Sequence, residues 1–231
     1  HVCQESQIHL EPPTVLSGKA KTPLCKPLDE ESRQPYWNSF RAFMQNERRW
    51  KPDAIQRLDV ASQVIVSKLP APHVDKVTAF DARGLVIGHV QSGKTATMAA
   101  LISRAADQGY RLVIVLAGLM KDLRSQTQRR FDQEITCASD DPEDGPFAAP
   151  EPGAPKWVRL TRAGLEGDFQ PGTIQMDLNP HTPKLMVVKK LPAILEKLEA
   201  WLGTSPLPLS QLGTLVIDDE ADQASIDTNA N

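Results

Sequence analysis

Apolar positions along the chain fall into two regimes. Between Trp37 and Leu69 they recur at helical spacing. Trp37, Phe40, Phe43 and Met44 mark one stretch, and Ile55, Leu58, Ile65 and Leu69 the next. Pro52 and Asp53 supply a break and restart between them, and Pro70 closes the second. This pattern predicts a helical pair lying against a larger domain. From Gly84 onward the apolar residues gather instead into short unbroken runs: Leu85-Val86-Ile87, Leu112 to Leu116, Leu185 to Val188 and Thr214 to Ile217, with Trp157 to Leu160 a weaker candidate. Such runs suit parallel strands buried on both faces. Between them, the alanine-rich stretch from Lys94 to Gln108, closed by Gly109, reads as a helix. So do the amphipathic stretches from Met120 to Glu134 and from Leu191 to Leu202. Strands alternating with helices predict an α/β lobe: three layers, a mostly parallel sheet with helices on both faces, and an N-terminal helical segment.

The organisation follows from the same pattern. Residues 1–35 carry five prolines and no apolar periodicity, which predicts a flexible leader. Residues 36–78 form the helical segment, and residues 79–231 the sheet-containing lobe. The stretch 139–155 has five acids, five prolines and no basic residue, and reads as a solvated insertion. Because the chain starts at His1 and stops at Asn231, soon after a motif that normally sits mid-protein, it reads as a fragment of something longer.

Composition narrows the classes only a little. With 40% hydrophobic and 24% charged residues the chain has ordinary soluble-domain character. A net charge of −3 argues against a wholly basic nucleic-acid-binding surface and leaves room for a local basic strip. Cys3, Cys25 and Cys137 are scattered without metal-ligand spacing and read as free thiols in a reducing compartment. No apolar run approaches the ~18 residues of a bilayer span, so a cytoplasmic protein without membrane contact is expected.

The chemistry concentrates in two segments. Gly88-His89-Val90-Gln91-Ser92-Gly93-Lys94-Thr95 matches G-x-x-x-x-G-K-[ST] at every fixed position, after an apolar run and before a helix. The glycines let successive backbone N–H groups turn inward around a phosphate, and the following helix adds its positive end. Lys94 is then placed to reach the β- and γ-phosphates of ATP, and the Thr95 hydroxyl to ligate Mg²⁺. The second segment is Leu215-Val216-Ile217-Asp218-Asp219-Glu220-Ala221-Asp222, an apolar strand ending in carboxylates. At the carboxyl edge of a parallel sheet such carboxylates hold the metal of an ATPase. The reading assigns Asp219 to Mg²⁺, with Asp218 its rival, and Glu220 to positioning and deprotonating the attacking water.

Further residues are candidates for nucleic-acid contact. Lys121, Arg124, Arg129 and Arg130 form a basic strip on the predicted helix after the second strand, with Gln126 on the face of Arg130, and Lys189 and Lys190 could extend it. Their functional reading is backbone-phosphate contact with DNA, set against that of a solvated helix face. His89 and His181 are lone histidines that require no catalytic role.

The run Asp219-Glu220-Ala221-Asp222 resembles motif II of superfamily 2 helicases, and Leu123-Arg124-Ser125-Gln126 looks like their motif Ia. Val188-Lys189-Lys190-Leu191-Pro192 sits where their motif Ib would fall. At finer grain, GLVIGHVQSGKTATM, GYRLVIVLAG, LRSQTQRR, VVKK and IDDEADQASIDT together resemble the Z-one domain family over residues 36–228. These are bacterial helicase-like ATPases, often labelled putative endonucleases and associated with restriction and phage defence. Asp227 departs from the asparagine expected there. The resemblance implies a RecA-like P-loop lobe, ATP and Mg²⁺ as cofactors, DNA as partner, and a C-terminal RecA-like lobe lying outside this sequence. It also implies weak turnover by this lobe alone, since arginine fingers come from the second lobe. The alternatives are a P-loop phosphotransferase or nucleotide switch, and an ATP-binding regulatory module that partners a nuclease or methyltransferase without motor activity. A GTPase would show N/T-K-x-D, which the sequence lacks.

Overall fold

The computed structural model describes residues 23–28, 33–72, 82–87, 93–138, 146–164, 169–173, 179–204, 212–219 and 221. Its centre is a sheet of four parallel strands: β1 (Leu112–Ala117), β2 (Val158–Arg159), β3 (Lys184–Val188) and β4 (Thr214–Asp219), in the order β2-β3-β1-β4. Along β1, Leu112 and Ile114 enter one core cluster with Met186, Val188, Leu198 and Leu212. Val113 and Val115 enter another with Leu185, Val187, Leu215 and the alanines of the preceding helix. Burial on both faces explains why β1 and, after Lys184, β3 are unbroken apolar runs rather than alternating ones.

The described residues include five α-helices, α1 (Pro35–Asn46), α2 (Pro52–Val66), α3 (Lys94–Asp107), α4 (Lys121–Phe131) and α5 (Pro192–Gly203), of which α3, α4 and α5 lie next to the sheet. A wider π-type turn, Asp132–Thr136, extends α4. Proline at the first turn starts α1, α2 and α5, where its fixed φ is helical and its missing N–H would be unpaired anyway. The helical pair α1 and α2 lies on α3, and Trp37, Phe40, Phe43 and Met44 bury almost completely against it. Each such side chain contributes roughly 1.5–3 kcal/mol by leaving water.

Polar groups fix this docking. The Arg104 guanidinium of α3, 3% exposed, donates to Ser62 Oγ and Gln34 Oε1, both at 2.9 Å, pairs with Asp59 and stacks 4.0 Å above the Trp37 ring. At the end of α3 the Asp107 carboxylate accepts the first free N–H groups of α1, from Tyr36 at 3.1 Å and Trp37 at 2.9 Å. Burial pushes that carboxyl up to about 7 against the two hydrogen bonds, which pull it down.

Two expectations are corrected. Leu85-Val86-Ile87 is no strand: the run is 76%, 59% and 87% exposed, and no described strand lies on the outer edge of β4 for it to join. Nor is the acidic insertion solvated throughout. Its described part, residues 146–155, packs on α1: Ala148 is buried, Ser39 Oγ donates to the Ala149 carbonyl at 2.6 Å, and Tyr36 Oη to that of Pro155 at 2.9 Å. Composition reports side-chain polarity, whereas this segment docks through its backbone carbonyls. Residues 139–145 lie outside the described residues. No helix among the described residues is long and apolar enough to cross a membrane.

Candidate nucleotide site

The first turn of α3 carries Lys94 and Thr95. Gly93 precedes it with φ 79°, a left-handed conformation that glycine takes without strain, and as the N-cap residue it offers no side-chain cap. The leading N–H groups of α3 therefore have no intrahelical acceptor, and the helix dipole adds positive potential where they point. Lys94 is exposed and Thr95 half-buried. Gly88, His89, Val90, Gln91 and Ser92 lie outside the described residues.

Connectivity sets the height of this turn against the sheet. α3 ends close to the amino edge, where β1 begins four residues after Gln108. Its 14 residues rise about 21 Å back along the strands, while the six residues of β4 rise about 20 Å toward the carboxyl edge. The start of α3 and the end of β4 thus stand at one level.

Strand alternation then separates the two aspartates. Asp219 pairs in register with Ala117, and Ile217 with Val115, positions that face α3 through the cluster holding Ala96, Ala99 and Ala100. Asp218 pairs with Leu116 and faces the opposite side, toward α5. There its Oδ1 accepts from Lys190 Nζ at 2.7 Å. Of the two rivals for the metal, only Asp219 shares a face with the turn carrying Lys94 and Thr95. Glu220 lies outside the described residues.

The candidate DNA contacts fare unevenly. Arg124 is corrected outright: at 1% exposed, its guanidinium donates to the carbonyls of Arg162 at 2.8 Å, Gly164 at 3.2 Å and Val187 at 3.3 Å. Its helix position faces β3, so it holds a loop rather than meeting a phosphate. Arg130 Nε donates to Glu134 at 2.9 Å while its side chain remains 37% exposed. Lys189 is buried, and Lys190 is engaged with Asp218. Lys121, Gln126 and Arg129 are exposed. Gln128, which shares the inner face with Arg124, accepts from Thr161 Oγ at 2.7 Å and donates to Asp132 at 2.9 Å.

What sequence reasoning missed is the Lys190–Asp218 pair. The signal available to it was weak: a lysine just past one strand end and an aspartate at another, both in a single sheet.

Comparison with protein-family models, with curated proteins and with solved structures found no match. The residues must therefore be tested on their own chemistry. A helix start led by glycine suits a phosphate, and the Thr95 hydroxyl with the Asp219 carboxylate are hard oxygen donors of the kind Mg²⁺ takes. No group of three or more potential ligating side chains gathers among the described residues. A Mg²⁺ ion here would therefore keep phosphate oxygens and water in its shell, its usual habit at nucleotide sites. The donor set fits ATP–Mg²⁺.

Proposed function

We propose that the chain is the ATP-binding and ATP-hydrolysing lobe of a helicase-like, DNA-directed ATPase. One juxtaposition carries this reading: the glycine-led start of α3, with Lys94 and Thr95, stands level with the end of β4 on the face toward which Asp219 points. In this reading Lys94 and the N–H groups of α3 bind the phosphates, while Thr95 and Asp219 hold Mg²⁺. The bound ion would supply charge neutralisation at the phosphoryl oxygens. Glu220, next in the chain, orients and deprotonates the attacking water.

DNA enters the proposal through two supports. The peptide-level resemblance to the Z-one domain family implies it. In addition, α4 begins at the same carboxyl edge and exposes Lys121, Gln126 and Arg129, groups able to follow a phosphate backbone.

The test is steady-state ATP hydrolysis with and without single- and double-stranded DNA, using Lys94→Ala as control. Slow hydrolysis stimulated by DNA and abolished in the variant supports the proposal. Tight ATP binding with no hydrolysis under any DNA condition would favour the regulatory-module alternative. A rate unchanged by Lys94→Ala would remove the site altogether.

A further inference from the structure

We propose that Lys190 is a positioning residue for the metal-side carboxylate: it clamps Asp218 across the end of the central strand and thereby fixes the direction of Asp219. The inference rests on the nucleotide reading above and extends it to a residue in neither sequence segment.

The geometry is specific. β3 and β4 do not touch; β1 lies between them, with Leu116 pairing Val188 on one side and Asp218 on the other. Two strand spacings amount to about 9.5 Å, so a bond from β3 to β4 needs a long side chain passing over the end of β1. Lys190 makes that passage. Its backbone N–H donates at 2.9 Å to the carbonyl of Gly118, where the chain leaves β1 with φ 53°, and its ammonium reaches Asp218 Oδ1 at 2.7 Å. The side chain of Lys190 is 9% exposed and that of Asp218 37%. One residue therefore joins the ends of three strands.

The consequence for Asp219 is mechanical. β4 is the edge strand among the described residues, and its partner β1 ends at Ala117, opposite Asp219. Among the described residues, the backbone of Asp219 is therefore held by one neighbouring strand, at the last pair of that ladder. Because neighbouring residues face opposite sides, pinning Asp218 toward α5 holds Asp219 turned toward α3. Released from Lys190, Asp218 could swing and turn Asp219 from the face it shares with α3, weakening the proposed metal site without touching the phosphate turn.

The experiment measures binding of a fluorescent ATP analogue to the 231-residue chain as a function of Mg²⁺ concentration. Lys190→Met, Asp218→Asn, their double variant and Lys190→Arg are compared with wild type. Each single variant should leave metal-free nucleotide affinity within twofold and raise half-saturating Mg²⁺ about five- to tenfold. The double variant should be no worse than either single, since both remove one interaction, and Lys190→Arg should recover most of the loss. Asp218→Asn keeps shape and volume, so it carries the test if Lys190→Met does not fold. An unchanged Mg²⁺ requirement in folded variants, or effects that multiply in the double variant, would overturn the inference while leaving the nucleotide site standing. Wild-type chain without Mg²⁺-dependent nucleotide binding would sink both.

Discussion

Replacing Arg124 with alanine separates a structural arginine from a DNA-contacting one. The guanidinium is buried under α4 and serves three backbone carbonyls, two in the loop after β2 and one in β3. Truncation strands the buried Val187 carbonyl, leaves the carbonyls of the exposed Arg162 and Gly164 to water, and opens a void the size of the lost side chain. A buried hydrogen-bonding group left unpaired costs about 1–3 kcal/mol, but the three acceptors share one donor and part of the loop will relax toward solvent. A net loss of about 3–4 kcal/mol is the reasonable sum, near the upper end for single substitutions. For a chain of this length that corresponds to a fall in melting temperature of roughly 6–16 °C. Differential scanning calorimetry or urea denaturation reads it directly. Arg124→Met, which refills the volume without the donors, should recover only the packing part. If Arg124→Ala melts within 2 °C of wild type and binds DNA less tightly, the burial argument is wrong and the phosphate-contact reading returns.

Other expectations follow from different parts of the molecule. Burial raises the Asp107 carboxyl to about 7, so the folded chain holds a proton that the unfolded chain releases near pH 4. The stability this group lends is thus present below about pH 4 and lost as pH rises through about 7. Asp107→Asn should flatten that part of the melting-temperature profile between pH 5 and 7.5, and an unchanged slope would exclude the group. Lys121→Ala combined with Arg129→Ala should weaken DNA binding severalfold and lower the salt slope by about 1–2, with ATP affinity unaltered; an unchanged salt titration would discard α4 as a DNA-facing helix. Arg104→Met should destabilise the α1–α2 pair, because Asp59, Gln34 and Ser62 lose a common donor. Limited proteolysis near residue 50 reports it, and wild-type resistance would count against that account.

The sequence made β1 and β3 legible because burial on both faces leaves Leu112 to Leu116 and Leu185 to Val188 wholly apolar; Lys184, which opens β3, is buried by donating to the Asn179 and Thr182 carbonyls. α1 and α2 were equally plain, since Trp37, Phe40 and Met44 repeat with the helical period and Pro52 sits at a helix start. Leu85-Val86-Ile87 looked the same to that test, yet a strand also needs a neighbour, and neighbours are a property of topology. Arg124 was misjudged because period alone says which residues share a face, never which face turns inward. From the chain, motif position alone ranks Asp219 above Asp218: alternation separates the two, but only the position of α3 decides which side holds the phosphate turn. The Lys190–Asp218 bond spans three strand ends, a distance no local pattern encodes.

The nucleotide site itself is tested most directly by equilibrium binding of a fluorescent ATP analogue in the presence of Mg²⁺, comparing wild type with Lys94→Ala and Asp219→Asn. Saturable binding by wild type, at least tenfold weaker in Lys94→Ala and stripped of its Mg²⁺ dependence in Asp219→Asn, is the predicted result. A folded wild-type chain that takes up no nucleotide, or takes it up equally well without the Lys94 ammonium, would contradict the account.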